Sequence, residues 1–437
     1  MARKIIRFEP GARHAERTKE DTKPVIPRPP EPDEPDAVEH PALKTGKKNG
    51  PKLSKSLYKI AAVLLAAALL LVVLENWEDL TFGNIGNWFR TKAVGLGFGD
   101  GYPVDLIGST ADPGNFGSED GNMYVVSDTA LTVLNSSAKE MFSVRHSFNN
   151  PAVSVSGGRY LMYNVGATGY RVDTAAGTEV LDSAECSITA GAVCSTGKFA
   201  LATQPSDYAS ELSVYMKDGS LQYQYKFADS YISAVTLNVN GTKGAVASIC
   251  SRDGDIVSRI TVFDFSKEEP IAVYESEGNL VYGLLWSANN RVLAIGDTQT
   301  LVSDARFNFD VYDYGGREVT AFCTTKDKAI VSVSNYAYGG SSTLLIFSNN
   351  AEPVEAELPG RAVWLSCADS KVGALLSESV VTADLFTGVL EASCEISPDT
   401  KSMAMADEGT LYLLGVREIR KENLKIIRNP EELFQSE

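Results

Sequence analysis

Histidine is almost absent from this chain: three in 437 residues, with His146 alone beyond the first forty. A histidine-rich metal centre is thereby excluded from the main body, and a Ser-His-Asp triad would have to use His146. That residue lies in SVRHSF, an alternating strand-like run, and reads as structural. The six cysteines, at 186, 194, 250, 323, 367 and 394, form no C-x-x-C pair and no zinc spacing. Most end or interrupt apolar runs (AVCS, ASIC, AFC, WLSC) and read as small buried hydrophobes. Cys186 with Cys194 is the pairing left open for an oxidising compartment. Basic charge is scarce after residue 59, where 26 Lys/Arg face 47 Asp/Glu. Phosphate binding needs a basic face, so nucleic acid is not expected as a partner. Calcium loops are missing too: RDGDIVS and DTQTLVSD pair aspartates without the D-x-D-x-D-G spacing. GLGFGDG (95–101) follows no strand and opens no βαβ unit, so it reads as a flexible joint, not a phosphate loop. A quinone site would need a stacking tryptophan with a carboxylate set, whereas Trp286 and Trp364 begin repeats and read as core aromatics. No cofactor and no metal are expected.

Long apolar runs are lacking as well, with one exception. Residues 57–74 contain IAAVLLAAALLLVVL and are broken only by Lys59. Eighteen helical residues span about 27 Å, close to the hydrocarbon thickness of a bilayer. Lys44, Lys47, Lys48, Lys52, Lys55 and Lys59 precede the run, while Glu75, Glu78 and Asp79 follow it. The positive-inside rule predicts a single pass with the N-terminus in the cytoplasm and the C-terminal body outside the plasma membrane. VVLENWEDL offers no cleavage site, so the segment reads as an uncleaved signal anchor. Residues 1–56 form a proline-rich, disorder-prone cytoplasmic tail. Residues 75–101 read as a juxtamembrane segment and linker, with Trp77, Trp88 and Phe89 suited to the outer interface.

What the body does have is repetition. Eight tight turns, each followed by a short apolar run, are marked by Asn122, Arg159, Lys198, Lys243, Arg291, Lys328, Lys371 and Lys401, at separations of 37, 39, 45, 48, 37, 43 and 30 residues. A period near 40 in a β-rich chain predicts a β-propeller, one repeat per blade. Eight blades over residues 102–420 is the expectation, and the short last separation leaves seven open; 421–437 is left as a C-terminal tail. Each repeat reads as four strands, a to d, with the marked turn between a and b. The last repeat lacks a convincing fourth strand, which YPVDLI (102–107) could supply. The marking cations read as exposed charges that discourage edge pairing; a ring of cations binding an anion is the sharper alternative.

Function is sought on the loops. In a propeller the b–c and d–a connections share one face, here the b–c face, and the a–b and c–d turns share the other, the a–b face. The b–c connections of repeats three to six read as long: TQPSDYAS, CSRDGDIVS, GDTQTLVSDAR and NYAYGGSS. They carry Asp207, Tyr208, Arg252, Asp253, Asp255, Arg306, Tyr336 and Tyr338, and Tyr and Arg are typical interface anchors. The expected role is a scaffold or sensor binding a protein or glycan outside the cell. The alternative is an extracytoplasmic hydrolase or lyase with paired carboxylates at the channel.

GDGYPVDLIG (99–108) and FNNPAVSVSGGRYLMYNVGATGYRV (148–172) resemble a family of membrane-anchored proteins of Gram-positive bacteria known only as a domain of unknown function. The resemblance spans roughly residues 57–420. It implies the anchor and a propeller of the quinoprotein-like or WD40-like kind, and no activity.

Overall fold

Residues 94–428 are described by a computed structural model. The expected tail (1–56), membrane span (57–74) and most of the juxtamembrane segment lie outside the described residues. Among the described residues no helix is long and apolar enough to cross a membrane.

The described chain is a ring of eight antiparallel sheets. Blades 1 to 7 occupy residues 111–145, 151–183, 187–227, 231–277, 281–313, 318–357 and 364–395. Within each, four strands follow one another from the inside out, and the inner strands of neighbouring blades pack side by side except between blades 5 and 6. Blade 8 closes the ring. Its inner three strands are Ser402–Met405, Thr410–Leu414 and Glu418–Asn423, and its outermost is Val104–Asp105 from the other end of the body. Val104 opposes Ile419 and Asp105 opposes Glu418. Tyr102 packs its ring on Tyr412, centroids 5.3 Å apart. The fourth strand thus comes from YPVDLI and covers the edge of Glu418–Asn423.

Burial explains why the repeat was visible. Strand b is covered on both faces by neighbouring blades, so Arg159–Asn164 and Ala329–Ser334 are buried at every position. Strand d has an open edge and alternates, as in Leu221–Phe227. The cores lie between blades: Phe263 of blade 4 and Phe227 of blade 3 share one, Leu344 of blade 6 and Val372 of blade 7 another.

Several expectations need correction. Lys401 does not mark an a–b turn: it precedes the inner strand of blade 8, its amide bonded to the Leu414 carbonyl. The mark comes one strand early, which accounts for the short last separation. The cations are not all exposed. Arg159 is fully buried, with Nε 3.2 Å from Glu179 and a guanidinium nitrogen on the Ser195 carbonyl of blade 3. Lys328 is buried too; its Nζ binds Ser348 Oγ at 2.9 Å and lies 4.3 Å from the Phe386 ring of blade 7. These cations clasp neighbouring strands and blades, so neither edge protection nor an anion ring describes them. Cys186 and Cys194 stand at opposite ends of the inner strand Ser187–Val193. At about 3.3 Å per residue they are about 26 Å apart, far beyond disulfide reach.

The glycine joint is docked. Asn135 Nδ2 donates to the Gly95 and Gly97 carbonyls, at 2.9 and 3.2 Å, and Lys139 Nζ binds the Val94 and Leu96 carbonyls. The Gly99 amide reaches Ser137 Oγ at 3.1 Å. A Cβ on Gly99 would overlap the backbone of Ala138 and Lys139, so only glycine permits this approach. Beyond residue 420, Glu418–Asn423 completes its strand, and Lys425–Ile426 adds a fifth strand to blade 7.

Candidate functional site

The inner strands of blades 3 to 6 share a feature. Each carries a β-bulge at its third residue or next to it: Thr189, Ser233, Tyr282 and Thr320. The local sequences are Ile-Thr-Ala, Ile-Ser-Ala, Val-Tyr-Gly and Val-Thr-Ala. A β-branched residue holds the core, the next is extruded, and a small residue lets the strand kink. All four lie near the b–c face, where the central channel opens. Three extruded hydroxyls turn back to strand backbone or a neighbouring hydroxyl: Thr189 to the Ala202 carbonyl, Ser233 to that of Val281 at 2.7 Å, Thr320 to Ser332 Oγ at 2.7 Å. The fourth is Tyr282, whose ring meets Phe322 of blade 6, centroids 5.3 Å apart. Burial pushes its phenol up to about 12.

Tyr282 lines an open cleft of about 680 Å³ between blades 5 and 6. Asp297 and Thr298 of the b–c turn of blade 5 form one wall; Arg317 of the connector into blade 6, with Glu318 and Val319 at the start of its inner strand, forms the other. Asp297 accepts the Leu280 amide at 2.7 Å. Arg317 donates to the Tyr314 carbonyl at 2.8 Å and to the Tyr312 hydroxyl at 3.2 Å. Glu318 faces Arg361 at 3.6 Å, and Arg361 also donates to the Tyr336 carbonyl. Each charge is oriented by a protein partner and still reaches the cleft, an arrangement suited to polar recognition. Among the described residues no group of three His, Cys, Asp or Glu side chains could hold a metal.

Of the residues expected from sequence, Tyr336 and Tyr338 lie on the b–c connection of blade 6 between Ala329–Ser334 and Thr343–Phe347, and Arg361 links the Tyr336 carbonyl to Glu318 of the cleft. Ser334 Oγ closes the base of the loop on the Ser341 carbonyl at 2.9 Å. Tyr336 is 63% and Tyr338 94% exposed. Asp207 and Tyr208 lie on the same face in blade 3; Lys226 Nζ sits 4.8 Å from the Tyr208 ring. Arg252, Asp253 and Asp255 are not on a long loop. They cap an extended hairpin, Lys243–Arg252 against Asp255–Asp264, around a two-residue turn with φ of 54° at Asp253 and 96° at Gly254. Positive φ at both positions defines a type I′ turn, which matches strand twist. Arg252 is held by Glu275 at 2.8 Å and Glu277 at 3.5 Å, so it braces the hairpin.

Arg306 is on the opposite face. Gln299–Ser303 is strand c of blade 5, so GDTQTLVSDAR is a turn, a strand and a turn; Phe309–Asp313 is strand d. Arg306 belongs to the c–d turn, on the a–b face. Sequence reasoning missed Arg317 and Arg361 because it passed over d–a connectors, and Tyr282 and Glu318 because it passed over inner strands; Asp297 lay within a stretch weighed only as a calcium loop and as part of a long b–c connection. The repeated β-branched–X–small triplet was the available signal. His146 is structural: Nε2 meets the Ser127 carbonyl at 3.0 Å, and Nδ1 accepts the Phe148 amide at 3.1 Å.

These features define an eight-bladed β-propeller with a structured b–c face. Residues 109–355 match the model of the family of unknown function DUF5711, and the chain belongs to that family. No curated protein matches its sequence. Among solved structures, the C-terminal WD40 domain of Sif2 is 13% identical with a TM-score of 0.51, covering 75% of this chain and 97% of that one. BamB from Moraxella catarrhalis is 10% identical, TM-score 0.46, covering 73% and 98%. The propeller domain of Myceliophteria thermophila Cps50 (Swd1) is 11% identical, TM-score 0.47, covering 74% and 99%. At such identities the likeness is one of fold alone.

Proposed function

We propose that this protein is a membrane-anchored binding scaffold or sensor whose propeller, outside the plasma membrane, recognises a protein or glycan through the b–c face of blades 5 to 7. The observation that carries the reading is the exposed pair Tyr336 and Tyr338, on a loop fixed by Arg361 and Ser334 beside the cleft. Aromatic rings held ready on a fixed loop lose little freedom on binding and bury large apolar area, as interface anchors do. The oriented charges of Asp297, Arg317 and Glu318 would supply polar specificity. The apolar run 57–74 and its flanking charges support the anchor and the orientation.

Two experiments test this. Tyr336→Ala with Tyr338→Ala should weaken partner capture by about tenfold or more, with the melting temperature unchanged; equal capture would refute the site. Protease added to intact cells should digest the propeller; its survival would refute the orientation.

A further inference from the structure

Six thiols are present in the described chain, and two of them meet. Cys323 Sγ and Cys367 Sγ are 2.9 Å apart. They lie on the inner strands Glu318–Thr324 of blade 6 and Trp364–Ala368 of blade 7, and pack against the same inter-blade core. A disulfide needs about 2.05 Å between sulfurs, so closure requires a shift of about 0.9 Å. The other thiols are engaged elsewhere or on other blades: Cys194 faces Thr196 Oγ1 at 3.1 Å, and Cys394 points to the Glu395 carbonyl at 3.5 Å.

We propose that Cys323 and Cys367 form a disulfide that staples blade 6 to blade 7 when the protein meets a disulfide-bearing oxidant. One cysteine thiolate attacks the oxidant's S–S bond, forms a mixed disulfide and expels the first thiolate. The second cysteine, deprotonated, attacks the protein sulfur of that mixed disulfide and expels the other. Two protein thiols are oxidised, one reagent disulfide is reduced to two thiols, and the two protons released from the cysteines are taken up by the leaving thiolates. Burial pushes the Cys323 thiol up, and the adjacent Cys367 thiol adds to this. The covalent loop would enclose the Tyr336 and Tyr338 loop and the connector carrying Arg361. Oxidation therefore fixes the geometry of the candidate binding arc, independently of what binds there.

The test is a thiol count on the full chain, denatured after treatment. Reduced protein should show six thiols, and protein equilibrated with oxidised glutathione four. Trypsin without reductant should release EVTAFCTTK joined to AVWLSCADSK, two hydrogens lighter than the sum of the free peptides. Cys323→Ser and Cys367→Ala should each keep five thiols throughout. The oxidised wild type should melt roughly 5 °C higher. Six thiols after oxidation, a stable glutathione adduct without the joined peptides, or loss of two thiols in Cys323→Ser would overturn the proposal.

Discussion

At the residue scale, burial decides what a charge does. Arg171 and Asp173 lie on strand c of blade 2, with Nε to Oδ2 at 2.6 Å and a second bond from Nη2 to Oδ1 at 2.8 Å. Thr178 Oγ1 donates to the same carboxylate at 2.6 Å, and the Asp173 side chain is wholly shielded from solvent. Removing the cation would strand a buried anion, so Arg171→Met should cost about 3–5 kcal/mol in denaturant unfolding. Replacing both members by apolar residues of similar volume should recover most of that. The exposed counterpart behaves differently. The Asp399 carboxyl is held down at about 2, chiefly by the Ser397 hydroxyl and then by Arg420. A depressed carboxylate adds stability above its unfolded pKa of about 4 and loses it as pH falls through the folded value. An NMR titration should therefore find Asp399 ionised at pH 3, and a midpoint near 4 would contradict the assignment. Neither pair was legible in the sequence. A Lys or Arg after a turn looks the same whether it reaches solvent, as Lys401 does, or is sealed between blades, as Arg159 is.

At the scale of the element, the doubly covered b strands announced themselves, whereas the equally buried strand c of blade 5 did not. Gln299–Ser303 was hidden because it enters from the two-residue turn Asp297-Thr298, which contains neither Gly nor Asn. The alternating Phe309–Asp313 looked like the better strand, and the register of blade 5 slipped by one, carrying Arg306 to the wrong face. The blade 4 hairpin was misread for the opposite reason: polar residues at its tip resemble a loop, but the pairs Ser251–Ile256 and Arg252–Asp255 continue the ladder. The docked segment 94–101 offers a local test. Gly99→Ala should push it off the Asn135–Lys139 turn, raising amide exchange over residues 94–102 while the b strands stay protected. Unchanged exchange there would mean that the close approach at Gly99 is not needed for docking.

For the whole molecule, spacing pointed to eight blades and left seven open, because seven repeats carry the same marked turn and the eighth mark, Lys401, falls one strand early. How the ring closes could be inferred only from what the last repeat lacked. Removing residues 94–106 should expose the outer edge of blade 8, lower the melting temperature and promote self-association. The candidate site was half legible. Tyr336 and Tyr338 stood out in a long loop, whereas the cleft is assembled from an inner-strand bulge and two connections that meet only once the blades are stacked. The central claim is that the b–c face of blades 5 to 7 binds a partner. It is tested most directly by a photo-crosslinking residue placed at position 338 in the native cell, with position 389 on the a–b face as control. A discrete adduct from position 338, lost when Tyr336→Ala is added and absent from position 389, is the result predicted. Equal adducts from both positions, or none from 338, would contradict it.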